Sequence, residues 1–93
     1  MIRRDGDAFL VEGAITIANV EEVLAEGLRL FDWSDIRVDL ARVTEVDSSA
    51  LSLLLEWSRR AAREGRRLVF VNLTPNLKSL AALYGVSDLI SPP

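Results

Sequence analysis

The spacing of apolar residues changes along the chain, and each change marks an element. Ala8 to Gly13 (AFLVEG) is a short β-prone run closed by a glycine, and Ile36 to Leu40 (IRVDL) alternates apolar and charged residues with period two. Both predict strands. Leu68 to Leu73 (LVFVNL) is almost continuously apolar, which predicts a central strand covered on both faces and the best buried of the three. Between the first two strands, Val20, Val23, Leu24, Gly27 and Phe31 share one face of a helix, and Asn19 with Glu22 makes a capping-box pattern. A last helix is announced by Thr74 as N-cap and Pro75 at its first position, carries Leu77, Leu80, Ala81 and Tyr84 at helical spacing, and stops at Gly85. Val86, Leu89 and Ile90 then predict a short segment folding back onto the core before Ser-Pro-Pro ends the sequence. The order β, α, β, α, β, α predicts an α/β layer structure, a small sheet packed with amphipathic helices, as one domain over residues 1–93.

The longest helix pattern runs from Ser49 to Glu64, with Gly65 as its C-terminal stop. Leu51, Leu54, Leu55, Ser58, Ala61 and Ala62 form its central face. At 100° per residue, Leu53 and Trp57 widen the apolar arc to about 200°, twice the ~100° that one packed face needs. Two explanations are open: a sheet plus a flanking helix cover the excess, or Leu53 and Trp57 anchor a partner protein.

Composition narrows the chemistry. A chain of 93 residues with 49% hydrophobic residues has no apolar run approaching the ~18 to 20 residues a membrane helix needs. Asp5, Gly6 and Asp7 interrupt the N-terminus where a signal peptide would place its apolar segment, so a cytosolic location is expected. The sequence has no Cys and no His, which removes thiolate chemistry and the commonest general base and metal ligand. The net charge of −3 argues against broad nucleic-acid binding, although Arg59, Arg60, Arg63, Arg66 and Arg67 are clustered. That cluster reads as a solvated face with a Glu56–Arg60 pair, or as a contact for an acidic partner or anionic headgroups.

Asp47, Ser48 and Ser49 precede the long helix, where their oxygens can accept from its free N–H groups. A nucleophilic serine would need Lys78, the one lysine, as its base, and no G-x-S-x-G elbow surrounds these serines. Neither Glu45 with Asp47 nor Asp32 with Asp35 has the further oxygen ligands of a metal site, and no Gly-rich phosphate loop is present. No catalytic residue, metal or cofactor is expected.

The stretch VDLARVTEVDSSALSLLLEW, followed by GRRLVFVNLTPNLKSLAALYGVSDLI, resembles a STAS domain, strongly over Val38 to Ile90 and loosely before it. SALSLLLEW and ALYGVSDLI make it most similar to the stand-alone STAS subunit of the Mla phospholipid ABC transporter. The resemblance implies a non-enzymatic subunit at the cytoplasmic side of the inner membrane. It would be bound to the transporter ATPase, within a complex with the permease that maintains outer-membrane lipid asymmetry. Asp47, Ser48, Ser49, Leu53 and Trp57 would be the contact region. The other branch of the family, the anti-sigma-factor antagonists, carries a phosphorylated serine where this chain has Ser48. Those antagonists commonly have glycine where this chain has Ala50, whose Cβ is expected to hinder a kinase.

Overall fold

Ile36, Val38 and Leu40 send their side chains to one side of a strand that runs well past them, from Asp35 to Val46. The computed structural model describes residues 1–90. In chain order it contains β1 (Ile2–Asp5), β2 (Ala8–Ile15), α1 (Val20–Leu30), β3 (Asp35–Val46), α2 (Ser48–Arg63), β4 (Arg67–Val71), α3 (Pro75–Leu83) and α4 (Ser87–Ile90). The expected α/β layer structure is present. An additional N-terminal strand precedes the three that apolar patterning predicts, because IRRD carries too few apolar residues to register as one. The closing Ser-Pro-Pro lies outside the described residues.

The sheet order is β1-β2-β3-β4. β1 pairs antiparallel with β2 in register Ile2↔Val11, whereas β2–β3 and β3–β4 are parallel, which makes the sheet mixed. The two parallel pairings follow from the helical crossovers α1 and α2, since parallel neighbours cannot be joined by a tight turn. Phe9, Val11, Ile36, Val38, Leu40 and Phe70 form the buried side of the sheet with the helices. The alternate positions Arg3, Glu12 and Arg37 carry charge on the other side, as period two requires.

β4 departs from expectation. It is an edge strand in which only Phe70 is buried, because helices cover one face of the sheet and nothing pairs beyond it among the described residues. The strands fully engaged on both edges are β2 and β3.

α3 starts as expected, with the Thr74 hydroxyl accepting from Leu77 N–H at 3.3 Å and Pro75 at its first position. α2 ends at a left-handed Gly65 and α3 is followed by a left-handed Gly85. In each case the next residue donates back into the last turn, Arg66 N–H to Ala61 O at 2.8 Å and Val86 N–H to Ala81 O at 2.9 Å. The Asn19 capping box does not form. Asn19 instead closes the preceding loop, its Oδ1 accepting from Thr16 N–H and its Nδ2 donating to Ala14 O at 2.8 Å. In α4 only Ile90 returns to the core, while Leu89 points outward.

Candidate functional site

The turn from β3 into α2 is organised by one carboxylate. Asp47 is the N-cap of α2: its Oδ1 accepts from the Ser49 backbone N–H at 2.9 Å and from the Ser49 hydroxyl. Its other oxygen, Oδ2, accepts from Ile17 N–H at 2.9 Å, tying the β2–α1 loop to the start of α2. The Ser49 hydroxyl, and then the Ile17 N–H, hold the Asp47 carboxyl below the usual carboxylate range because each bond is made to the charged form. Asp47 and Ser49 are therefore structural partners of one another. Ser48, between them, is exposed, and its hydroxyl makes no hydrogen bond to another side chain or to the backbone among the described residues.

The remaining two expected contact residues lie elsewhere. Leu53 and Trp57 are each 1% exposed, so neither is an accessible anchor beside the Ser48 turn. Trp57 packs edge-on to Phe31 at 5.0 Å between ring centroids, and its indole N–H donates to Leu24 O at 3.3 Å. The wide apolar arc of α2 is thus consumed by the sheet and the flanking helix α1, the first of the two explanations that the sequence leaves open. Of the residues expected on the central face, Leu51, Leu54 and Ala61 are buried, Leu55 and Ser58 are half-buried and Ala62 is exposed.

Large apolar residues do reach solvent at Met1, Ile17 and Leu28 and, in the C-terminal quarter, at Leu83, Tyr84 and Leu89. A groove of about 500 Å³ is lined by Ser48, Ser49, Leu51, Ser52, Leu55, Tyr84 and Val86. Tyr84, 57% exposed, is the large apolar residue of this groove that opens most to solvent, while Leu83 beside it in the chain faces a separate hollow with Val46 and Leu80. Sequence patterning misses this surface because it places Tyr84 on the buried stripe of α3. In the structure that stripe ends at Ala81, and the chain turns away at Tyr84–Gly85, lifting the tyrosine over the start of α2.

Of the arginine cluster at the other end of α2, Arg59, Arg60, Arg66 and Arg67 are paired internally, and Arg63 is exposed without a salt bridge among the described residues. Arg59 and Arg60 both meet Glu56, at 3.3 and 3.1 Å, Arg66 meets Glu64 at 3.1 Å and donates to Trp33 O at 3.0 Å, and Arg67 approaches Asp35 at 3.8 Å. These exposed pairs account for a solvated face. No group of three or more metal-ligating side chains is assembled among the described residues.

Compared with known proteins, residues 2–91 match the family described as "Mlab, STAS domain". The chain belongs to the STAS-domain family. No curated protein matches it. This STAS domain is similar in fold to the anti-sigma factor antagonist SpoIIAA in its unphosphorylated form, with a TM-score of 0.72 and 18% identity over 97% of this chain and 84% of that one. The Bacillus cell fate determinant SpoIIAA in its phosphorylated form matches with a TM-score of 0.68 and 17% identity, over 97% and 86% of the two chains. A sulfate transporter family protein from Wolinella succinogenes matches with a TM-score of 0.71 and 15% identity, over 91% and 70%. At these identities the structural likeness concerns the fold alone. STAS domains are generally regulatory or binding modules.

Proposed function

We propose that this STAS domain is the non-enzymatic subunit of a phospholipid-transporting, Mla-type ABC transporter, and that it docks on the cytosolic ATPase through the face around Ser48. The observation that supports this reading is the family match over residues 2–91, whose description names Mlab alongside the STAS domain. The exposed groove of Ser48, Ser52, Leu55 and Tyr84 supplies a place for the contact, because a hydrophobic surface rimmed by hydroxyls suits a protein interface. Membrane association then arises only through the complex, consistent with the absence of any helix among the described residues long and apolar enough to cross a bilayer. The test is co-purification with an Mla-type ATPase. Capture is expected with the parent and with Ser48→Ala, and reduced capture with Ser48→Glu, since a charge in the middle of a desolvated contact is unfavourable. Equal capture by the glutamate variant removes Ser48 from the interface, and no capture by the parent removes the reading.

A second reading is favoured by one specific feature. Ala50 is fully buried, so its methyl group faces the core and does not obstruct the exposed Ser48 hydroxyl in the way its sequence position suggests. An anti-sigma-factor antagonist switched by phosphorylation of Ser48 is therefore sterically open. Intact mass of the protein from its native cell separates the two: abundant phosphate on Ser48 supports the antagonist.

A further inference from the structure

The turn between β2 and α1 is hydrogen-bonded throughout, yet it carries an apolar side chain out into solvent. Every backbone N–H from Thr16 to Val20 has an acceptor. Within the turn, Asn19 Oδ1 accepts from Thr16 at 3.0 Å, the Thr16 hydroxyl from Ala18 at 3.3 Å, and Thr16 O from Asn19 and Val20 at 3.0 and 2.9 Å. The N–H of Ile17 reaches outside the turn, to Asp47 Oδ2 at 2.9 Å. On either side, Ile15 lies in the core and Val20 packs against it, whereas Ile17 is 77% exposed and takes no part in it.

The bond to Asp47 decides where that side chain stands. Because the other oxygen of Asp47 caps α2 at Ser49, a single carboxylate ties the Ile17 turn to the residues on both sides of the exposed Ser48. A lone exposed apolar residue is ordinary on a protein surface, and a mobile one loses conformational freedom when it binds. At Ile17 the backbone is already ordered, and a β-branched side chain is stiff at χ1.

We propose that Ile17 is the apolar anchor of the docking face, entering a nonpolar pocket of the same partner protein that contacts Ser48, and that Asp47 is the residue that positions it. The proposal rests on the reading of the Ser48 face as a docking surface and adds the contact that anchors it. Glu21 and Glu22 line one small hollow, of about 160 Å³, together with Ile17 and Ala18. With Asp47 they set carboxylates beside the apolar tip. That charge opposes insertion into an anionic bilayer, and a symmetric contact between two Ile17 tips would bring like charges together. A protein pocket can place hydrogen-bond donors around a nonpolar floor and meets neither penalty.

The test measures the affinity of a purified Mla-type ATPase for the parent, Ile17→Ser, Asp47→Asn and the double variant, well below every melting temperature. Ile17→Ser should weaken binding about tenfold, as loss of an anchor does. Its circular dichroism and melting temperature should stay those of the parent, because the side chain lies outside the core. Asp47→Asn should also weaken binding and should speed hydrogen exchange at the Ile17 amide. Since Asp47 acts through Ile17, the double variant should bind no more weakly than Ile17→Ser alone. Unchanged binding by Asp47→Asn, or losses that multiply in the double variant, would overturn the positioning role. Full-affinity binding by Ile17→Ser overturns the anchor and leaves the transporter reading standing, whereas no binding by the parent removes both. Sedimentation with phosphatidylglycerol vesicles, or self-association, that is abolished by Ile17→Ser would make a bilayer or a second copy the occupant and overturn the proposal.

Discussion

The indole of Trp57 fills the space that a side chain would need at Gly27. A Cβ placed on Gly27 would lie 2.5 Å from Cε2, Cζ2 and Nε1 of the tryptophan. The glycine in the middle of α1 is therefore a packing requirement: it lets α1 approach α2 closely enough for Leu24 O to accept from the indole. Gly27→Ala should destabilise the fold. Alanine gains about 1 kcal/mol of helix propensity, but overpacking a rigid ring costs ~1 to 3 kcal/mol. Urea unfolding of the purified variant gives the sign, and an unchanged or higher midpoint would show that α1 shifts away freely.

Trp57→Ala should cost about 3 to 5 kcal/mol, the range for emptying a buried aromatic site, and also removes the indole N–H bond to Leu24 O. Trp57→Phe should cost less because it keeps the contact with Phe31. Chemical denaturation of both variants checks the order. Partner binding measured on Trp57→Ala would report stability and not contact.

Ser48 and Ser49 should separate cleanly. Ser48→Ala should change stability by less than about 0.5 kcal/mol, as expected of an exposed hydroxyl outside any network. Ser49→Ala removes the hydroxyl bond to Asp47 and should lower the melting temperature measurably more. Paired thermal melts decide this, and equal effects would place the hydroxyl network elsewhere.

The Asp47 carboxyl titrates below its ordinary range in the folded chain because Ser49 and Ile17 donate to it. Its stabilising contribution is present above the unfolded-state carboxylate range and is lost as pH falls through the lower folded value. Asp47→Asn can still cap α2 through its amide oxygen but presents an NH₂ group to Ile17 N–H. The parent should therefore melt higher than Asp47→Asn at neutral pH, and the gap should narrow progressively in acid. Melting curves from neutral to strongly acidic pH follow it, and a gap independent of pH would contradict the assignment.

Local signals determined much of this protein. The Thr74–Pro75 start of α3, the glycine stops after α2 and α3, and the helical face of α1 were all legible because each depends on a few neighbouring residues. The strand cores of β2 and β3 were legible through their apolar runs, and the STAS likeness through the Asp-Ser-Ser turn between strand and helix. Only the tertiary structure decided what covers what. Helical spacing gives the width of the apolar arc on α2 but not its neighbours: α1, notched at Gly27, covers Trp57, and Leu53 is buried in the same core. The run LVFVNL looks central by composition, yet helices on a single face and a missing fifth neighbour leave β4 at the edge among the described residues. Tyr84 fits the stripe of α3 by number, and the left-handed turn at Gly85 swings it into solvent above Ser48. Periodicity assigns a residue to a face of its own element, whereas burial depends on which other element arrives at that face, and that is settled by contacts distant in sequence.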